Sequence, residues 1–250
     1  MKNKITARDN PVIKNTAKLL KSREERHTQG LFLCEGAVML EEAVRSGACI
    51  DKVFVLEGMT LPVEPEGAEI YEVSAGVLEK LSDVKTPQGI VFTVAIPRDK
   101  QLQGRHVLAL ENLQDPGNVG TAIRTAEAFG MDSIALVGNV ADVYSPKTVR
   151  STMGSIFRLN ICAMDADAFF AQAQALELPV YAAALTDKAV PIGSVSFEKA
   201  AVMIGNEANG LSEKALDKCD KHVIIPINGI QSLNAAVAAA VFMYEMSKKR

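Results

Sequence analysis

The chain has 250 residues, 48% of them apolar, and a formal net charge of −3. That length suits one large domain or two modest ones with a sizeable core. The charge does not advertise nucleic-acid binding, and no apolar run reaches the roughly 18–20 residues of a membrane-spanning helix.

Charge is distributed unevenly. Residues 1–30 carry eight Lys/Arg against three Asp/Glu, and residues 31–100 carry six against twelve. Such a basic arm steers a polyanion locally or is an ordinary solvated helix face. The segment MKNKITARDNPVIKNTAKLLKSREER lacks the apolar core of a secretory signal. The expectation is a soluble, cytoplasmic protein.

NPVIKNTAKLLKS (10–22) predicts an amphipathic helix capped by Asn10 with Pro11 in its first turn. A strand follows at 31–36, then a helix at 37–47 stopped by Gly47 and a strand at 51–58. The Pro/Gly-rich stretch 61–69 reads as a connection, 73–83 as a helix and 89–97 as a buried strand. This βαβ-like unit ends near Pro97, and residues 98–105 read as a linker. The second half predicts strands at 106–113, 133–138, 179–185, 200–207 and 222–227. Between them lie helices at 117–129 and 165–177, a loop with a short helix at 145–155, and a last helix at 232–250. Strands alternating with helices predict α/β architecture with helices on both sheet faces. Domain boundaries are expected at 1–97 and 106–250.

The four cysteines (34, 49, 162, 219) and three histidines (27, 106, 222) are scattered, with no C-x-x-C pair. They read as buried free thiols and unrelated imidazoles, so no metal is expected. Three strand ends are more informative. LENLQDPGNVGTAIRTAEAFG (110–130) leaves a strand and enters a helix, where α/β proteins bind ligands. Val119, Ala122, Ile123, Ala126 and Phe129 form its apolar stripe. Asn118 sits at the helix mouth as a cap or part of an anion site. Arg124 points elsewhere, either to a site or to a surface pair with Glu127.

GNEANGLS (205–212) has the glycine spacing of a phosphate-binding loop, but Leu211 stands where that loop needs lysine. A nucleoside triphosphate is therefore not expected. Asn206 and Glu207 erupt directly after the apolar VMIG, aimed at a site or forming a turn before a helix capped by Ser212. IPINGIQSLNAAVAAAVFMYE (225–245) again ends a strand in a Pro/Gly turn. Ser232 and Asn234 open a helix too apolar to be exposed on any broad face, with Ser232 as a cap or a site residue. Neutral amides and hydroxyls with one Arg and one Glu suit orientation of a polar substrate more than hydrolysis.

These three stretches, in this order, resemble the three signature motifs of the SpoU (TrmH-like) family of RNA ribose 2′-O-methyltransferases. The resemblance covers about residues 106–246. FLCEGAVMLEEAVRSG and KTPQGIVFTV are similar to the substrate-binding domain found ahead of that catalytic domain, and the basic segment 10–30 looks like the rRNA-methylating branch.

The resemblance implies a deep trefoil knot in the C-terminal domain, a homodimer with its site near the dimer interface, and S-adenosylmethionine as cofactor. Gly205, Ile225 and Leu233 would contact the cofactor, with Ile204, Asn206, Gly210 and Ile227 lining the same pocket. Asn118, Arg124, Glu207, Ser232 and Asn234 match the polar active-site positions, with Asn118 and Glu207 orienting Arg124. Ser232 and Asn234 would hold the ribose and the cofactor loop. RNA phosphates are expected at Lys14, Lys18, Lys21, Arg23 and Arg26 of the arm, and at Lys147, Arg150 and Arg158. The expected substrate is 23S or other ribosomal RNA. A tRNA substrate, or an RNA-binding factor of the same fold without catalysis, remains the alternative.

Overall fold

The computed structural model describes residues 3–98, 100–229 and 232–248. Its elements begin with β1 (Asn3–Ile5), α1 (Pro11–Lys21), α2 (Arg23–Gln29), β2 (Leu31–Glu35), α3 (Ala37–Arg45), β3 (Ile50–Leu56), β4 (Glu69–Val73), α4 (Ala75–Lys80) and β5 (Ile90–Ala95). They continue with β6 (His106–Glu111), α5 (Pro116–Ala128), β7 (Ser133–Val137), α6 (Pro146–Thr152), β8 (Asn160–Met164), α7 (Ala166–Ala175), β9 (Val180–Ala183) and β10 (Val190–Pro191). The chain closes with β11 (Ala200–Ile204), α8 (Glu213–Lys218), β12 (Lys221–Ile224) and α9 (Ala235–Ser247). The predicted last helix ran to 250; Lys249 and Arg250 lie outside the described residues, as does Asp99 of the linker.

Two compact units result: Met1–Arg98 with Tyr144–Phe157, and Asp99–Val143 with Arg158–Arg250. The first unit is built on a five-stranded sheet of order β1-β4-β3-β5-β2. Here β5 runs antiparallel to both β2 and β3. The expected βαβ-like unit is therefore corrected to a mixed sheet, because β5 inserts between β2 and β3. The residues of α1 that face the sheet, Ile13 and Leu19, join Leu33, Phe54 and Val91 in its core. Asn10 caps α1 by accepting from the Val12 amide at 2.9 Å, with Pro11 at the first turn. Residues 144–157 belong with this unit because Phe32, which is 2% exposed, packs against Tyr144 (ring centroids 4.9 Å apart) and Phe157 (6.4 Å). Arg150 pairs bidentately with Asp83 across the same contact.

The second unit holds a seven-stranded, wholly parallel sheet of order β10-β12-β9-β11-β6-β7-β8. β11 is apolar throughout, and β6 and β7 are apolar apart from their terminal residues His106, Glu111 and Ser133, as a parallel sheet covered on both faces requires. Val107, Ala109, Ala201 and Met203 point one way and share a core with Phe169 and Ala173 of α7. Val119, Ala122, Ile123 and Ala126 of α5 are all buried, while Phe129 is only partly so. Short elements escaped prediction: β1, α2, β4, β8, β10 and α8, none longer than seven residues. All four cysteines are free; Cys34 and Cys162 are buried, but Cys49 is exposed, which corrects the expectation that all four are buried. No group able to hold a metal occurs among the described residues.

Candidate active site

The polar residues of the second unit converge at the carboxyl ends of β6, β7 and β11, where parallel α/β sheets leave room for ligands. Asp115 caps α5 by accepting from the Asn118 amide at 2.8 Å. Asn118 is therefore not the cap. Its side chain donates instead to Glu207 Oε1 at 3.0 Å. The same carboxylate accepts from the Asp115 amide at 3.1 Å and, through Oε2, from the Gln114 amide at 3.2 Å. Amide groups entering a helix attract an anion, and here the protein supplies that anion itself. Burial of the Glu207 carboxyl opposes ionisation. Hydrogen bonds from Asn118 and from the backbone of Glu207, Gln114 and Asp115 outweigh it and hold the group below the ordinary glutamate range.

The chain of bonds continues into the third motif. Asn234 Nδ2 donates to Asn118 Oδ1 at 3.0 Å. Asn234, not Ser232, caps α9, its Oδ1 accepting from the Ala236 amide at 2.9 Å and the Val237 amide at 3.3 Å. Three motifs far apart in sequence thus meet in one line, Glu207–Asn118–Asn234. Arg124 and Ser232 stand differently: both are exposed, and neither makes a hydrogen bond or ion pair with another described residue. The expected pairing of Asn118 and Glu207 with Arg124 is corrected, because those two satisfy each other. Nor does Arg124 pair with Glu127, which is taken by Arg158.

The GNEANGLS turn is a closed loop. Asn206 and Gly210 exchange backbone hydrogen bonds of 2.9 Å in both directions. Asn206 Oδ1 accepts from the amides of Ala208 (3.0 Å) and Asn209 (3.1 Å), and its Nδ2 donates to the Asn112 carbonyl at 2.9 Å. Gly210 closes the loop with φ +68°, and a Cβ on Gly205 would collide with the backbone of Gly210 and Leu211. Ser212 caps α8 by accepting from the Ala215 amide at 3.2 Å. It also donates at 2.6 Å to the buried Glu111. Ile204 is buried at the end of β11, whereas Ile225, Ile227 and Leu233 remain partly uncovered despite being apolar. A glycine that tolerates no side chain and half-covered apolar residues at strand ends fit a flat adenosyl group.

Sequence reasoning missed Asn112, Gln114 and Asn139, which complete these strand ends, whereas Asp115 with Pro116 was legible as the start of α5. Asn112 adopts φ +52° and accepts from the Asn139 amide at 2.8 Å. Gln114 Nε2 donates to the carbonyls of Asn112 (3.3 Å) and Asn139. The detectable signal was the stretch ENLQD at a strand's carboxyl end, polar directly after HVLAL.

The anticipated RNA contacts separate into three groups. Lys14, Lys21, Arg23 and Lys147 are exposed. Lys18 pairs with Glu25 at 3.1 Å, Arg150 with Asp83 and Arg158 with Glu127. Arg26 is only 4% exposed and donates to the Leu19 carbonyl at the end of α1, so it is a structural residue and not a phosphate contact.

A parallel α/β unit with amide and carboxylate groups gathered at its strand ends defines an enzyme that orients a polar substrate. The model of the SpoU rRNA methylase family matches residues 105–244, and that of the MRM3-like substrate-binding domain residues 10–91. This chain belongs to the SpoU rRNA methylase family. It is 33% identical to the 23S rRNA (guanosine(2553)-2′-O)-methyltransferase RlmP of Bacillus subtilis, over 92% of this chain and 93% of the relative. Human mitochondrial rRNA methyltransferase 3 is 28% identical, over 91% of this chain and 70% of its own. The AdoMet-bound rRNA methyltransferase of Sinorhizobium meliloti superposes with a TM-score of 0.88 at 27% identity, covering 98% of this chain and 97% of that one.

Proposed function

We propose that this protein methylates a ribose 2′-hydroxyl of ribosomal RNA with S-adenosylmethionine as donor. The single observation that carries the reading is the Glu207–Asn118–Asn234 line, which joins all three family motifs. When bound, the cofactor supplies a methyl group made electrophilic by its sulfonium. Gly205, Asn206 and Gly210 of the closed loop, with Ile204, Ile225, Ile227 and Leu233, would hold it.

The chain's own residues present donors to the substrate. Both Glu207 oxygens are already occupied as acceptors, and Asn118 Oδ1 and Asn234 Oδ1 are occupied too. Each amide nitrogen retains one N–H beyond the bond it makes. These N–H groups, with Ser232, hold ribose and phosphate oxygens. The 2′-hydroxyl must lose its proton during attack. The hydrogen bonds that hold the Glu207 carboxyl below the ordinary glutamate range make it a poor base. Arg124 remains protonated in proteins; it clamps the target phosphate, whose oxygen takes the proton, and is indispensable in that position.

The same family reading includes a trefoil knot, a homodimer and work in the cytoplasm. The knot is supported by β12 lying between β9 and β10, with α9 then returning to α5. Partly exposed Val237 and Tyr244 on the otherwise apolar α9 support a dimer contact there. No helix among the described residues is long and apolar enough to cross a membrane. Exposed Lys14 and Lys21 of α1, Arg23 of α2 and Lys147 of α6 supply RNA contacts. The unit built on residues 1–97 acts as the substrate-binding domain, and the unit built on residues 106–250, apart from 144–157, acts as the catalytic domain.

Calorimetry of S-adenosylmethionine binding tests the pocket, with Gly205→Arg expected to abolish it. Incubation with transcribed 23S rRNA and mapping of 2′-O-methyl groups tests the reaction. Binding that survives Gly205→Arg overturns the pocket; absence of any ribose methylation overturns the function.

A further inference from the structure

The line of catalytic groups borders a second feature. Over the ends of β6, β7 and β11 lies a cleft of about 410 Å³, walled by Asn112 and Gln114, by Asn139, and by Asn206, Asn209 and Ser212. Its volume is that of a small-molecule site, roughly 300–1,000 Å³. Among the described residues no Lys, Arg, Asp or Glu lines it, and Leu211 is the one large apolar wall. A phosphate would find no cation there and an aliphatic ligand little apolar surface. The chemistry left is that of a neutral, flat group with several donors and acceptors.

The walls are prepared for such a group. The side-chain amides of Asn139 and Asn209 make no hydrogen bond among the described residues, although both residues are anchored through their backbones. Gln114 bridges the Asn112 and Asn139 carbonyls and fixes the separation of the β6 and β7 ends. Asn112 holds a left-handed backbone at φ +52°, a conformation that non-glycine residues keep where the surroundings impose it. Asn and Gln amides read base edges in pairs of donor and acceptor, and RNA specificity is exercised on unstacked bases.

We propose that this cleft binds a nucleobase of the RNA substrate, read by the side-chain amides of Asn139 and Asn209 and kept at width by Gln114. The proposal rests on the methyltransferase reading for its ligand. The base is the target's own or an immediate neighbour, because Asn206 of the cleft wall is followed directly by Glu207 of the catalytic line.

The test uses the full chain with Asn139→Ala and Asn209→Ala combined. Cofactor affinity by calorimetry should be unchanged. On transcribed 23S rRNA, kcat/KM should fall roughly ten-fold, as loss of a base contact does. The preference among transcripts substituted at and beside the methylated nucleotide should flatten. Unaltered kcat/KM and preference would overturn the proposal. So would weakened cofactor binding with preference intact, which would make the cleft a cofactor subsite. If the parent binds cofactor but methylates nothing, the enzymatic reading has failed, and the cleft is then tested by fluorescence anisotropy with labelled poly(A), poly(C) and poly(U) oligonucleotides. Base preference in the parent that is lost in the double variant supports the cleft; identical profiles sink it.

Discussion

Two groups of polar residues in the second unit are treated in opposite ways. Glu207, Asn118 and Asn234 are bound to each other and to helix entrances, with nearly every acceptor used. Arg124 and Ser232 are exposed and bound to nothing among the described residues. The first group stays in place before any ligand arrives, as preorganised sites require. The second group gains its partners only from the ligand. Losses in the second group should therefore appear in turnover, and losses in the first in stability as well.

The largest effect is expected at Arg124. Arg124→Ala should lower turnover roughly a hundred-fold or more, the scale of a lost transition-state contact. Cofactor binding should persist, and stability should move by no more than about 0.5 kcal/mol, as for exposed substitutions without partners. Single-turnover kinetics, calorimetry and a thermal melt together decide it. A variant that retains more than about a tenth of the parent's rate would remove Arg124 from the mechanism.

Glu207→Gln comes next and sharpens the contrast. The substitution keeps the shape but turns one acceptor into a donor facing the Asn118, Asp115 or Gln114 N–H groups. An unsatisfied pairing of that kind costs about 1–3 kcal/mol. The parent should also carry an acid-labile contribution that the variant lacks. The Glu207 carboxyl is held below its ordinary value of 4.5, so its contribution is complete above that value and disappears as pH falls through the lower folded-state value. Melts from neutral into acid pH should show the parent losing this increment and the variant missing it throughout. Parallel pH curves would mean that the carboxylate is not anchored as described.

Legibility from sequence followed the same division. The amphipathic helices α1 and α5 could be read because burial of one face imposes a period, and β6 and β11 because burial on both faces makes each a run of apolar residues. Short ones could not: β10 has two residues and α8 six, and their positions depend on neighbours distant in sequence. The extent of β5 was legible but its antiparallel direction was not, because strand direction is a tertiary choice that IVFTVA does not encode. At the site, residue types at strand ends were visible, but who bonds whom was not. Asp115 and Ser212 were legible as helix starts and do cap α5 and α8, but Asn118 and Ser232 were open between cap and site, and only the fold shows Asn234 capping α9. Arg26 looked like any other arginine of a basic run until α2 turned it inward to Leu19.

That last difference gives the smallest and most selective effect. Exposed Lys14, Lys21 and Arg23 are free to meet phosphates, while Arg26 serves the fold. Each phosphate contact contributes about 0.7 to the logarithmic salt slope for single-stranded RNA. Replacing Lys14, Lys21 and Arg23 together by Ala should lower that slope by roughly 2, with little change in melting temperature. Arg26→Ala should do the reverse: the slope stays, and stability drops by about 1–3 kcal/mol as the Leu19 carbonyl loses its buried donor. RNA affinity measured across a salt series, beside a melt of each variant, separates the two. A slope that falls with Arg26→Ala alone, in a protein of unchanged stability, would mean that the guanidinium leaves its buried position to bind RNA.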